Sequence, residues 1–152
     1  MEKIDRTKAV DFLGIYGKQD LYLIEVKDFR GHRIENRARM LTGGLAVELA
    51  QKVKDSISCI VGAYRTENNP ELWNPFAKIL LNISGKVKAV LWLETDLLPG
   101  SVFPKQKVRY SVSTKILKQK MNWLTSHVLI CSRSMNSLPD VEVRNLPMQE
   151  TL

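Results

Sequence analysis

Between Val10 and Asp28 the chain reads VDFLGIYGKQDLYLIEVKD, and three ionisable side chains, Asp11, Glu25 and Lys27, stand there among Val, Leu, Ile, Phe and Tyr. Aliphatic, β-branched and aromatic residues dominate Val10–Tyr16 and Leu21–Val26, while Gly17, Lys18, Gln19 and Asp20 suit a tight turn. The stretch therefore reads as an antiparallel hairpin, with Asp20 serving the turn. Centred near Lys18, it sets Ile15 against Leu21, Leu13 against Leu23 and Asp11 against Glu25, at the roughly 4.5–5.5 Å Cβ separation of opposed residues. Lys27 follows Glu25 by two residues, so the strand period carries it to the same face. Phe12, Tyr16, Tyr22, Ile24 and Val26 make one face apolar, and Leu13, Ile15, Leu21 and Leu23 the other. Strands apolar on both faces are expected to be central and covered. Charges in covered strands need compensation, because burying an unpaired one costs several kcal/mol.

Two carboxylates so placed repel, and one keeps its proton near neutral pH unless a cation lies between them. Magnesium takes hard oxygen donors and keeps several waters, which suits two acids with no His or Cys beside them, and Mn2+ would accept the same oxygens. A partly buried Lys27 can act on an attacking water or neutralise charge developing on a phosphoryl group. The reaction class is metal-assisted hydrolysis of a phosphodiester. Glu-x-Lys is by itself a common tripeptide, and on a half-exposed strand it is usually a solvated ion pair worth less than about 1 kcal/mol. The apolar setting is what separates this one from that background.

Asp11, followed by Glu25-Val26-Lys27 at the end of the next strand, resembles the PD-(D/E)XK nuclease superfamily over the first third of the chain. The resemblance implies a restriction-endonuclease-like fold in which Asp11 and Glu25 bind magnesium, the Val26 carbonyl assists, and Lys27 acts on the attacking water. It also implies DNA as substrate, with endonucleolytic cleavage favoured by a small margin over exonucleolytic. Val10 stands where the motif often has Pro. The family usually places a helix before the first strand, whereas here the only acids ahead of Val10 are Glu2 and Asp5. The competing expectation is a non-catalytic nucleic-acid-binding or assembly module with the same fold.

At 152 residues and 44% hydrophobic, the sequence fits one domain, with a core over 1–132 and a tail over 133–152. Cys59 and Cys131 both sit in apolar contexts and read as buried thiols of a reducing compartment. The first eight residues are charged and no apolar run approaches a membrane span, so a soluble cytoplasmic protein is expected. The net charge of +7 favours a polyanionic partner. Arg30, Arg33, Arg37 and Arg39, with His32 among them, follow the E-x-K strand directly and are candidates for phosphate contact. Lys115 and Lys118 belong to a second basic group that includes Lys105, Lys107, Arg109 and Lys120. DNA is the expected partner, a membrane is not, and a homodimer is left open.

Beyond the hairpin, Leu45, Leu49, Val53, Ile57, Ile60 and Tyr64 recur at helical spacing, which predicts a helix over Thr42–Tyr64 with Glu48, Gln51 and Lys52 on its surface. A short interrupted helix follows over Leu72–Leu81, then a strand over Val87–Thr95 whose end charges, Glu94 and Asp96, read as solvated. A helix over Val108–Leu124 is expected to turn Val112, Ile116, Trp123 and the stem of Lys120 inward, with Lys115 and Lys118 outward. A strand over Val128–Ser132 and an edge strand over Val141–Leu146 complete the reading, and Trp73, Trp92 and Trp123 read as packing residues. The order predicts an α/β fold, a mixed central sheet with helices on both faces.

Overall fold

A computed structural model of the chain describes residues 7–31, 43–95 and 114–144. Four strands form one sheet in the order β1 (Phe12–Tyr16), β2 (Asp20–Asp28), β3 (Lys86–Glu94) and β4 (Val128–Cys131). The first pair is antiparallel and the other two are parallel, so the fold is α/β with a mixed sheet. Leu13 pairs with Leu23 and Ile15 with Leu21, the register expected of the hairpin. Gly17 and Lys18 take left-handed backbone angles (φ 60° and 67°) that let three residues reverse the chain.

Three helices are seen among the described residues: α1 (Gly44–Arg65), α2 (Pro70–Leu81) and α3, residues 114–121. Pro75 lies inside α2 without ending it, so that helix is continuous rather than interrupted. All three pack on one face of the sheet. Leu45, Leu49, Val53 and Ile60 of α1, Ala77 and Ile79 of α2, and Leu117 and Met121 of α3 share one core with Leu21, Leu23, Ala89, Leu91 and Leu93. The cause is topological: β2, β3 and β4 are laid down successively in one direction, and crossovers of one hand place the described helices between them on the same side. Helices on both faces would require the strand order to reverse. The opposite face, built from Tyr22, Val90, Trp92 and Cys131, is covered instead by Leu138 from the segment after β4.

Four further expectations are corrected. Among the described strands β1 is an edge, with Phe12 60% exposed and Ile15 and Tyr16 also exposed while only Leu13 packs partly on the core, so its apolar residues did not signal a central position. Of the helix expected over Val108–Leu124 the described part ends at 121; it buries Leu117 and Met121 with Ile116 packed beside them as expected, while Lys120 and, beyond the helix, Trp123 face solvent, and Val112 lies outside the described residues. Cys59 is exposed on α1, and only Cys131 is buried. Residues 141–144 form no strand, and 145–146 lie outside the described residues. The tight turn from α2 into β3 depends on Gly85, where a Cβ would come 2.2 Å from the Ile79 carbonyl oxygen. No helix among the described residues is long and apolar enough to cross a membrane.

Candidate active site at the carboxyl end of β2

The hairpin brings the start of β1 and the end of β2 to the same edge of the sheet. Open α/β sheets commonly bind ligands at the carboxyl ends of their parallel strands, and β2 runs parallel to β3 there. Glu25 and Lys27 follow Leu21 and Leu23 on the helix-bearing face, so both point toward α1 rather than into water. Glu25 is 1% exposed.

Compensation for that burial comes from α1. Lys52 Nζ lies 2.5 Å from Glu25 Oε1, and Lys27 Nζ lies 3.0 Å from the same oxygen. Lys27 also donates to Glu48 Oε1 at 2.7 Å. The four groups form an alternating line, Lys52, Glu25, Lys27, Glu48, in which each strand residue meets its opposite on the helix. The match is geometric as well as electrostatic. Residues i and i+2 of a strand are about 6.6 Å apart, and residues i and i+4 of a helix are separated by about 6 Å along its axis. Glu48 and Lys52 were expected on the surface, and the structure draws both into the site. The available signal was this complementary spacing, Glu-x-Lys against Glu-x-x-x-Lys, although such a helical pair usually satisfies itself. Gln51 does stay outside, donating to Asp55 Oδ1 at 2.9 Å.

Asp11 reaches the same place differently. The ladder ends at Phe12 opposite Ile24, and beyond it the exposed Asp11 side chain accepts the Val26 N–H through Oδ2 at 2.8 Å. Its carboxylate is thus fixed one peptide from Glu25. The chain before it is strapped to α1: the Lys8 N–H donates to Asp55 Oδ2 at 3.0 Å, and the Val10 N–H to Ser56 Oγ at 3.0 Å. Ser56, buried, in turn donates its hydroxyl to the Lys52 carbonyl at 2.8 Å. Ser56 therefore couples the approach to Asp11 with the turn of helix that carries Lys52.

Burial opposes the charge on Lys27, but hydrogen bonds to Glu48 and Glu25 outweigh it and hold the ammonium above its ordinary value. A charged lysine serves as an electrostatic group and proton donor. Within this line two carboxylates meet two ammonium groups, and both lysines contact the same oxygen of Glu25. Glu25 Oε2 is buried and has no hydrogen-bond partner. An unsatisfied buried carboxylate oxygen is costly, and a hard cation is the partner whose chemistry suits it. No three His, Cys, Asp or Glu side chains among the described residues cluster as a ready-made metal cage. Magnesium characteristically takes only one or two carboxylates and fills its remaining positions with water and substrate. Asp11, Glu25 and the Val26 carbonyl fit that smaller donor set.

The candidate phosphate-contacting residues divide. Arg30 lies just beyond β2 and is held against Asp28, donating through Nε at 2.8 Å and Nη2 at 2.5 Å. That fork depresses the Asp28 carboxyl to about 2. Lys115 and Lys118 are exposed on α3. Arg33, Arg37 and Arg39, like Lys105, Lys107 and Arg109, lie outside the described residues. Asp20 opens β2 and pairs with Lys88 at 2.6 Å, and Glu94 accepts the Trp92 Nε1–H and the Arg133 N–H; both serve the framework.

The chain matches no family model, no curated protein and no solved structure.

Proposed function

We propose that this protein is a magnesium-dependent nuclease that hydrolyses phosphodiester bonds of DNA endonucleolytically, with a restriction-endonuclease-like arrangement of its site. The observation that carries the reading is the buried Glu25 carboxylate beside Lys27, with one oxygen held by lysines and the other without a partner, one peptide from the Asp11 carboxylate. Asp11, Glu25 and the Val26 carbonyl would hold the cation. When bound, magnesium supplies Lewis-acid stabilisation of phosphoryl charge and favours ionisation of the attacking water.

The chain's own residues do the remainder. Lys27 stays cationic between Glu25 and Glu48 and stabilises the negative charge that grows on the phosphoryl oxygens as water adds and the bond to the leaving sugar oxygen breaks. Glu48 keeps Lys27 from collapsing onto Glu25 alone. The excess of positive charge over the chain, +7, draws the polyanion in. Arg30, Lys115 and Lys118 are the described members of the proposed contact surface, and Arg33, Arg37 and Arg39 belong to it by sequence.

Supercoiled plasmid and end-labelled linear DNA, incubated with Mg2+, with Mn2+ and with EDTA, test the proposal. Internal cleavage in either metal, abolished by EDTA and reduced at least a hundredfold by Glu25→Gln, is the expected result. DNA retardation that persists in EDTA and falls with salt, with no cleavage in any divalent metal, would replace the nuclease by a non-catalytic binding module.

A further inference from the structure

Lys52 is the residue of this cluster with no place in the chemistry proposed above. It comes from another element than the E-x-K pair, 27 residues along the chain, yet it makes the shortest contact to Glu25. Its side chain is only 14% exposed. Lysine seldom buries its ammonium unless a paired anion requires it. Here both lysines contact Oε1, and neither satisfies Oε2. Lys27 has a second anion in Glu48, whereas the ion pair of Lys52 among the described residues is with Glu25.

We infer that Lys52 and a divalent cation are alternative counter-ions of the buried Glu25 carboxylate: Lys52 supports its burial when no divalent cation is supplied, and a cation at Oε2 takes over that support. The inference rests on the metal site proposed above and assigns Lys52 a positioning role, since it acts through Glu25. The electrostatics set the direction. A buried carboxylate that loses one of its partners is strongly destabilised, and a second cation reaching the same carboxylate is repelled by the ammonium already there. Removing Lys52 should therefore make the fold depend on metal and make metal bind more tightly.

The test is thermal unfolding of the full chain in EDTA and across a Mn2+ series, paired with calorimetric titration of Mn2+ without DNA. The set comprises wild type, Lys52→Met, Lys52→Arg, Glu25→Gln and Asp11→Asn. Lys52→Met is expected to melt at least about 5 °C lower than wild type in EDTA, to recover most of that loss in saturating Mn2+, and to bind Mn2+ about tenfold more tightly. Lys52→Arg keeps the charge and should behave as wild type. An equal loss for Lys52→Met in EDTA and in Mn2+, or weaker Mn2+ binding, would make Lys52 an ordinary structural partner and overturn the inference. If Lys52→Met fails to fold even when prepared in Mn2+, the comparison is made on Lys52→Gln, whose neutral amide can still donate to Glu25 Oε1, and failure of both to fold in Mn2+ overturns the inference. If Glu25→Gln and Asp11→Asn bind Mn2+ as wild type does, the metal site itself is wrong. If they lose binding while Lys52→Met binds as wild type does, only the role of Lys52 is wrong.

Discussion

Asp11→Asn separates chemistry from structure at this site more cleanly than any other substitution. Among the described residues the exposed Asp11 side chain accepts the Val26 N–H at 2.8 Å. An asparagine places an amide oxygen where Oδ2 stands, so the hydrogen bond survives and only its ionic component is lost. A hydrogen bond to a charged group contributes about 1.5–3 kcal/mol and a neutral one about 0.5–1.5. Solvent at this exposed position reduces the difference further, to below about 1 kcal/mol. In a chain of this size that moves the melting temperature by no more than about 4 °C. The chemical loss should be far larger. Removing one preorganised electrostatic group from an active site typically costs about 2.7–4 kcal/mol of barrier, a hundred- to thousandfold in rate. Plasmid nicking in Mg2+ measures the rate and calorimetry the melting. If Asp11→Asn cleaves within threefold of wild type, Asp11 is only a cap at the start of β1 and its assignment as a metal ligand is wrong. A melting temperature lowered by 10 °C or more would sink the reasoning from the other side, since a structural defect would then explain the lost activity.

Ser56→Ala should destabilise the fold by about 1–3 kcal/mol, because it leaves the N–H of the buried Val10 unsatisfied; urea unfolding checks it, and a change under 0.5 kcal/mol would mean that the strap over α1 is not formed in solution. The Asp28 carboxyl, held down to about 2 chiefly by its hydrogen bond from Arg30, contributes stability above its ordinary value near 3.8 and loses it as pH falls toward 2. The pair is about half exposed, so the contribution is below about 1 kcal/mol. The stability difference between wild type and Asp28→Asn should accordingly shrink between pH 4 and pH 2, and a constant difference across that range would contradict the pairing.

The hairpin was legible because its register follows from local rules: a left-handed turn at Gly17 and Lys18 and a two-residue side-chain period are written within a few residues. The amphipathic stripe of α1 was legible for the same reason. What escaped depends on elements distant in sequence. Phe12 and Ile15 look as apolar as Leu21 and Leu23, and only the strand order makes one set an edge and the other a core. Glu48 and Lys52 look like a self-satisfied surface pair until β2 is laid beside α1 and each finds a partner across the gap. In α3 the helix ends at 121, before Trp123, so a pattern continued through Trp123 points to a neighbouring arc, while the buried residues are Leu117 and Met121.

The strap between Val10 and Ser56 has a consequence for the order in which the chain assembles. It closes over 46 residues and encloses the acids and lysines of the site. The contact of Lys88 with Tyr22, which accompanies β2–β3 pairing, joins positions 66 apart. Because closure entropy rises only logarithmically with length, the two events differ little in that cost. They differ in their electrostatic cost, because without a divalent cation Glu25 leaves water in company with Lys27 and Lys52. Docking of α1 against the hairpin is then the step at which solvent is stripped from Glu25, and the cluster enters the folding barrier as a toll on desolvation rather than as a driving force. Variants that neutralise Glu25 and Lys52 together should fold faster than the natural chain.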